Sequence, residues 1–383
     1  MRALNILHVF RAPIGGLFRH VLDLAQGQIA RGHRVGLIAD SSTGDANANE
    51  TLAQLAPRLA LGLTRMPMPR HAGPGDVAAL VRAARLIARS EADVVHGHGA
   101  KGGLYARLAI GGSPAVRAYT PHGGSLHYDW GSMLGVIYLG TERLLLSRGN
   151  LYLFESGYSA AMFRQKVGVP HGTMRVVHNG VTASEFVPVE TAPDATDILF
   201  MGELRAIKGV DVLIDALALL RAQGKATTAT LVGDGADAAS LHAQTERLGL
   251  GSLVRFLPPM PARQAQALGR VMVVPSRHES LPYVVIEAAA AGKPLIATRV
   301  GGISEIYGPF SDALVPADDA PALATAMAAT LADPAAAADR AQSLRSRVAR
   351  EFTVDAMVDG VLAGYRAVFE VTVPEHRPAL RTS

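Results

Sequence analysis

The feature that most constrains this chain is an alternation that occurs twice along its length. Short apolar runs are separated by amphipathic stretches of ten residues or more. Strands joined by helices of that length form βαβ units, because a parallel pair needs a long crossover. In the first series, Asn5–Phe10, Val35–Ala39, Asp93–His96, Ala115–Thr120, Leu151–Phe154 and Arg175–His178 read as strands, with helices predicted over Leu17–Arg31 and Asp76–Arg89. The second series has strands at Asp197–Met201, Thr228–Val232, Val254–Leu257, Val271–Val274 and Pro294–Ala297. Its predicted helices are Val210–Ala222, Ala238–Leu248 and Tyr283–Ala291. Between the series, residues 183–196 hold two prolines and no periodicity and read as an interdomain linker. The expected fold class is α/β: two facing Rossmann-like domains with parallel sheets and a deep interdomain cleft at the carboxyl ends of the strands. The expected domains are 1–185, 186–353 and a tail helix over 354–373 that crosses back to the first domain, with the last ten or so polar residues frayed.

Composition narrows the class. A chain of 383 residues suits two domains of about 150–200 residues each. Cysteine is absent, which excludes disulfide frameworks, Cys-zinc sites and thiol nucleophiles. No uncharged stretch reaches the roughly 18 residues of a membrane span, and the first ten residues read as a strand, not a signal peptide. The expectation is a soluble, cytoplasmic protein. Residues 1–190 carry 19 basic against 12 acidic side chains, a net +7, and the remainder carries 18 against 21, a net −3. The basic half either docks on something anionic or is a solvated Arg-rich surface; Arg82, Arg85 and Arg89 on one helical face fit the second reading. Only five of the 37 basic residues are lysines, at 101, 166, 208, 225 and 293, which makes each a mild functional suspect.

The most informative stretch is Val273–Ala288. A buried strand ends at Val274, a PSRHES turn follows, and a helix starts near Pro282. A helix start offers N–H groups and positive dipole to a phosphate, and Leu281 and Tyr283 would be the backbone donors, since Pro282 has none. Glu279 and Glu287 flank that cradle. Ionised carboxylates accept several sugar hydroxyls; the alternative is a charge near the helix cap and a solvated helix residue. Phe200–Gly209 reads FMGELRAIKG, a strand, a Gly turn and then Arg205 and Lys208 before the next helix. Two cations at a strand–helix junction are placed to bind a diphosphate and stabilise it as a leaving group.

These motifs together resemble the family 4 retaining glycosyltransferases with the GT-B fold, also called glycosyl transferases group 1. The resemblance spans nearly the whole chain: Gly15-Gly16, His96-Gly97-His98, Pro121-His122-Gly123-Gly124, His178-Asn179-Gly180-Val181, GELRAIKG, Gly233-Asp234-Gly235, and the Glu279/Glu287 pair followed by Gly301-Gly302 and Glu305. It implies a nucleotide-sugar donor bound by Gly15, Gly16, Gly202, Ser280, Leu281, Tyr283 and Glu287, with Glu287 at the ribose. Glu279 and His122 would lie at the transferred sugar, and Arg205 and Lys208 would grip the diphosphate, so these four are the catalytic candidates. The family usually carries Arg directly after the glycine of that motif; here the position is Glu203, and Arg205 is the substitute. His96, His98 and Lys101 are candidates for acceptor binding, His96 and His98 equally for packing. The acceptor is expected to be lipid-linked or saccharide, in cell-surface polysaccharide or glycolipid synthesis. No cofactor and no metal is expected, since no Asp-x-Asp pair is present, and no nucleic acid.

Other readings are weaker. Gly233–Ala238 fits a loose dinucleotide pattern but lacks the acidic residue at the next strand's end. His96 and His98 resemble an H-x-H metal pair without further ligands in sequence. His178 and Asn179 read as turn-shaping residues, or as substrate contacts. A nucleotide-sugar epimerase or hydrolase on the same fold and a two-lobed solute-binding protein are the rivals. Trp130–Leu146 reads either as a membrane-facing segment, peripheral on the inner face of the membrane, or as a buried helix.

Overall fold

A computed structural model describes residues 2–70, 73–109 and 116–372. It divides into two compact units, one of residues 1–178 with the chain from 354 onward, the other of 179–353. The frayed tail expected over the last residues lies outside the described residues.

The first unit is built on seven parallel strands: β1 (Asn5–Phe10), β2 (Arg34–Asp40), β3 (Leu63–Met66), β4 (Val94–His98), β5 (Val116–Thr120), β6 (Leu151–Phe154) and β7 (Thr173–Val176). Their order is β3-β2-β1-β4-β5-β6-β7. Side chains alternate across the sheet as strand geometry requires. Ile6 and Val94 pack with Met357, Val358, Val361, Leu362 and Tyr365 of the last helix, Val354–Thr372. Leu7, Val9 and Val95 pack on the opposite side with Ala79, Ala83 and Tyr105 of helices Gly75–Arg89 and Gly99–Leu108. Arg31 also reaches Asp355 at 3.0 Å and Asp359 at 2.7 Å on the last helix.

The second unit has five parallel strands: β8 (Thr196–Met201), β9 (Ala229–Val232), β10 (Val254–Leu257), β11 (Gly269–Val274) and β12 (Leu295–Ala297). Their order is β10-β9-β8-β11-β12. Residues 183–196, read as a linker, lie within this unit. Val181 donates its N–H to Phe352 O at 2.9 Å and is buried in the unit's core. Thr182 and Glu185 then form a capping box, and the Ala192 N–H bonds Ala267 O. Counted over the two units, the charge asymmetry is 22 basic against 14 acidic residues and 15 against 19, or +8 and −4.

The structure resolves the two readings of Trp130–Leu146. Met133–Leu144 is a helix capped by the Ser132 hydroxyl, and only Gly135, Leu139 and Glu142 of it are buried. Glu142 fixes that face: it pairs with the buried Arg107 at 2.8 Å and accepts from Tyr119 OH at 2.5 Å, while the Arg107 guanidinium lies 3.9 Å from the Tyr119 ring centroid. Trp130, Met133, Leu134, Val136, Ile137 and Leu144 are exposed. The buried-helix reading therefore fails for this face. Among the described residues no helix is long and apolar enough to cross a membrane.

The first unit's core also contains His8, His20, His96 and His98, none more than 2% exposed. Burial disfavours the charged imidazole, pushing His8 down to about 4 and His96 and His98 well below the ordinary value. The unfolded chain takes up a proton near pH 6.5 that folded His8 refuses, so His8 contributes stability fully above that pH and loses it as pH falls toward 4. For His8 alone the loss is about 3 kcal/mol. Urea unfolding monitored from pH 7 to pH 4.5 should show a falling midpoint, with a shallower fall in His8→Asn. A midpoint that is flat over this range contradicts the neutral buried cluster.

Candidate active site

All strands in each sheet are parallel, so every segment that follows a strand emerges at one edge. In the second unit β8 and β11 are neighbours, and the segments after them carry the cations and carboxylates picked out in the sequence. After β8 come Gly202, the helical turn Ala206–Lys208 and Gly209, then helix Val210–Ala222. Gly209 has φ +65°, and a Cβ there would collide with the Pro275 carbonyl from the segment after β11. Only glycine allows this approach.

Arg277 locks the two segments together. Its backbone N–H donates to Ile207 O at 2.8 Å. Its guanidinium forks onto both carboxylate oxygens of Asp211 at 2.8 and 2.7 Å, reaches Asp318 at 2.5 Å and donates to Ala206 O. Burial alone would raise the Asp211 carboxyl, but the Arg277 hydrogen bonds and charge outweigh it and hold it below the usual range. The result is that Lys208 Nζ stands 2.6 Å from Glu279 Oε1, which also accepts from Ser276 Oγ at 2.7 Å. The Glu279 side chain is 10% exposed and that of Lys208 25%. From the far side, Gly301 at φ +55° leaves no room for a Cβ against the Glu279 carbonyl, and Gly302 N–H donates to Ser280 O at 2.8 Å. Asn179, buried, donates from Nδ2 to Leu281 O, which ties the start of the second unit to this loop.

Helix Tyr283–Ala290 follows with no side-chain cap at Pro282. Leu281 and Tyr283 are buried there, and Glu287 is half-buried one turn further on. Lys208, Glu279, Ser280, Leu281 and Tyr283 thus come together around one loop pair. Arg205 does not join them: it is exposed, with its guanidinium 3.4 Å from Glu203. Arg277, which holds the arrangement, was not singled out from the sequence; its only signal was an arginine inside the PSRHES turn.

In the first unit Gly15 (φ +61°) and Gly16 open the helix Gly15–Ala30 directly after β1, and a Cβ on Gly15 would meet nothing within 4 Å. The acceptor candidates lie inside the first unit, where His96 and His98 take the packing alternative. The Lys101 ammonium is held by both Asp76 oxygens at 2.6 and 2.7 Å, with Tyr105 OH on the same carboxylate, in a partly buried pair between two helices. His96 is fully buried, its ring nitrogens bonded to Tyr365 OH at 2.7 Å and Thr120 Oγ1 at 2.8 Å. His98 is 1% exposed and bonds His8 and His122. All three point inward because their polar atoms are spent on internal partners.

His122 has φ +53°, rare for a side chain of this size, and both ring nitrogens are engaged: Nδ1 with Glu155 at 2.6 Å, Nε2 with His98 at 3.1 Å. Glu155 was missed by sequence reading; an acid directly after the buried strand LYLF was the available signal. Two imidazole triplets, His8/His96/His98 and His20/His98/His122, bring nitrogens within 4.8 Å of one another. The nitrogens of the first triplet already bond Gln28, Thr120, Tyr365, His122 and each other, which is a hydrogen-bonded network and not a converging donor set.

Known proteins place these sites in a family. The family model described as Glycosyltransferase Family 4 matches residues 14–185, and that described as Glycosyl transferases group 1 matches residues 195–333. A Mycobacterium tuberculosis protein named glycogen synthase is 29% identical over 368 residues, 88% of each chain. A D-inositol 3-phosphate glycosyltransferase of Acidothermus cellulolyticus is 26% identical over 388 residues, 92% of this chain and 85% of its own. The crystal structure of Anabaena HepE in complex with UDP aligns with a TM-score of 0.76 at 21% identity, covering 95% of this chain and 100% of that one. With one model on each unit and the GT-B architecture in both sheets, the chain belongs to the glycosyltransferases of the family 4 and group 1 type.

Proposed function

We propose that this glycosyltransferase moves a sugar from a nucleotide-sugar donor to a hydroxyl acceptor with retention of configuration and without a metal ion. The observation that carries the reading is the Lys208–Glu279 pair, clamped by Arg277 beside an uncapped helix start. That is one cation, one carboxylate and a row of backbone N–H groups, suited to a diphosphate joined to a sugar. The structural relative HepE, solved with UDP, supports the nucleotide part of the reading.

In this proposal Lys208 exchanges its Glu279 oxygen for a diphosphate oxygen when donor binds. Glu279 is then left to accept a hydroxyl of the transferred sugar, and Glu287 accepts the ribose hydroxyls. The bond from the anomeric carbon to the phosphate oxygen breaks, and the acceptor oxygen bonds that carbon on the same face. The acceptor's proton passes to the departing phosphate oxygen. Lys208 and the helix start stabilise the charge that accumulates on the diphosphate, the task a metal ion performs elsewhere. Arg205, drawn to Glu203 in this structure, has the smaller part.

For the acceptor, we propose a lipid-linked or saccharide hydroxyl in cell-surface polysaccharide or glycolipid synthesis, reached from the cytoplasmic side of the membrane. The exposed apolar face of helix Met133–Leu144, with exposed Arg143 and Arg148 near its carboxyl end, supports a peripheral membrane contact by the unit that carries +8.

Three outcomes are expected. Lys208→Ala should lower turnover about a hundredfold, while Glu287→Ala should chiefly weaken donor affinity, about tenfold. Unchanged kinetics in both folded variants would sink the site assignment. Activity should survive EDTA, and strong inhibition restored by a divalent cation would overturn the leaving-group chemistry. In liposome flotation the protein should bind anionic vesicles at low salt, less at high salt, and less again as Met133→Asp; no binding at low salt would remove the membrane contact.

A further inference from the structure

Four hydrogen bonds run in one line through the interior of the first unit. Gln28 Oε1 meets His8 Nε2 at 2.8 Å, His8 Nδ1 meets His98 Nε2 at 2.9 Å, His98 Nδ1 meets His122 Nε2 at 3.1 Å, and His122 Nδ1 meets Glu155 Oε1 at 2.6 Å. Each bond needs one proton. Both ends are oxygen acceptors, and three neutral imidazoles bring one N–H each, so the line is one proton short. The direction is fixed from the Gln28 end. His8 donates from Nε2 and accepts at Nδ1, His98 does the same, and His122 must donate from Nε2. The fourth proton therefore lies between His122 Nδ1 and Glu155.

We propose that Glu155 is a positioning residue: it holds one additional proton on the His8–His98–His122 relay and thereby fixes the His122 ring, and the loop Pro121–Gly124, in a single conformation. The electrostatics agree with the count. Glu155 is 3% exposed, and a lone carboxylate at that depth is strongly disfavoured. The extra proton makes the carboxylate and the three imidazoles neutral as a set. Burial would push the Glu155 carboxyl up, but the His122 charge and hydrogen bond outweigh it and the net direction is down. Facing the relay are His20 and Gln28 of helix Gly15–Ala30, His96 of β4, Thr120 at the end of β5 and Tyr365 of the last helix. The His20 ring lies edge-on to His122 at 4.8 Å. Turning the Gln28 amide over would place a donor at that end, reverse the three bonds from Gln28 to His122 and release one proton. The relay thus has two states one proton apart, and the buried Glu155 charge favours the fuller one.

The proton count stands on the relay alone; its consequence for turnover rests on the reaction proposed above. The test is nitrogen-15 NMR of the imidazoles in the whole protein at pH 7. In the native sequence one imidazole, His122, should be protonated at both nitrogens and His8 and His98 at Nε2 only. Glu155→Gln and Gln28→Met should each discharge the relay, the first leaving His122 Nδ1 unprotonated and the second leaving His122 Nε2 unprotonated. Glu155→Gln should also lower kcat roughly tenfold to a hundredfold while donor affinity is unchanged. Three neutral imidazoles in the native protein, or a His122 pattern unmoved by both substitutions, overturns the inference. If no nucleotide sugar is turned over, the reaction reading fails while the nitrogen-15 pattern still decides the relay.

Discussion

Parallel strand pairing is the constraint on which the rest of this structure depends. A parallel sheet releases the chain after every strand at the same edge, so motifs far apart in sequence are delivered side by side. In the second unit this brings the segments after β8 and β11 together, seventy-one residues apart at Lys208 and Glu279. In the first it brings the ends of β4, β5 and β6 together, and with them His98, His122 and Glu155. Glycine at 209 and 301 then permits backbone contacts that a Cβ would forbid, and Arg277 converts proximity into a fixed geometry.

The two units use charge in different ways. In the second, Lys208 keeps 25% of its side-chain surface, so exchanging its carboxylate partner for a phosphate, as proposed, would cost little. In the first, two cations are turned inward onto carboxylates. Lys101 is spent on Asp76, partly buried, and Arg107 on Glu142, fully buried, where breaking the pair would strand a charge in the core. Each pair withdraws one charge of either sign, so the first unit's excess of +8 stays with its remaining charged groups.

How much of this was legible in the sequence follows from what a one-dimensional pattern records. Buried parallel strands such as Leu151–Phe154 and Val271–Val274 are apolar on both faces and announce themselves. The strand Leu63–Met66 does not, because it is a short edge strand, half-buried, with Thr64 and Arg65 interrupting the run. Helix Met133–Leu144 is apolar nearly all round, so periodicity cannot choose its inner face; the Arg107–Glu142 pair chooses it, thirty-five residues distant in sequence. Glycine turns and clustered cations marked the two loops that carry Lys208 and Glu279. Ring-nitrogen partners were invisible: nothing in the string says that His98 faces two other histidines, that Lys101 meets Asp76, or that Glu155 closes on His122.

The most direct test of the account is whether Lys208 senses charge on the departing diphosphate more than it senses the intact donor. Calorimetric titration of the native protein and Lys208→Ala with a nucleotide sugar and with the matching nucleoside diphosphate measures this. The account expects Lys208→Ala to weaken the free diphosphate, with its additional negative charge, by a clearly larger factor than the nucleotide sugar. Equal weakening of both ligands, or none, would contradict it.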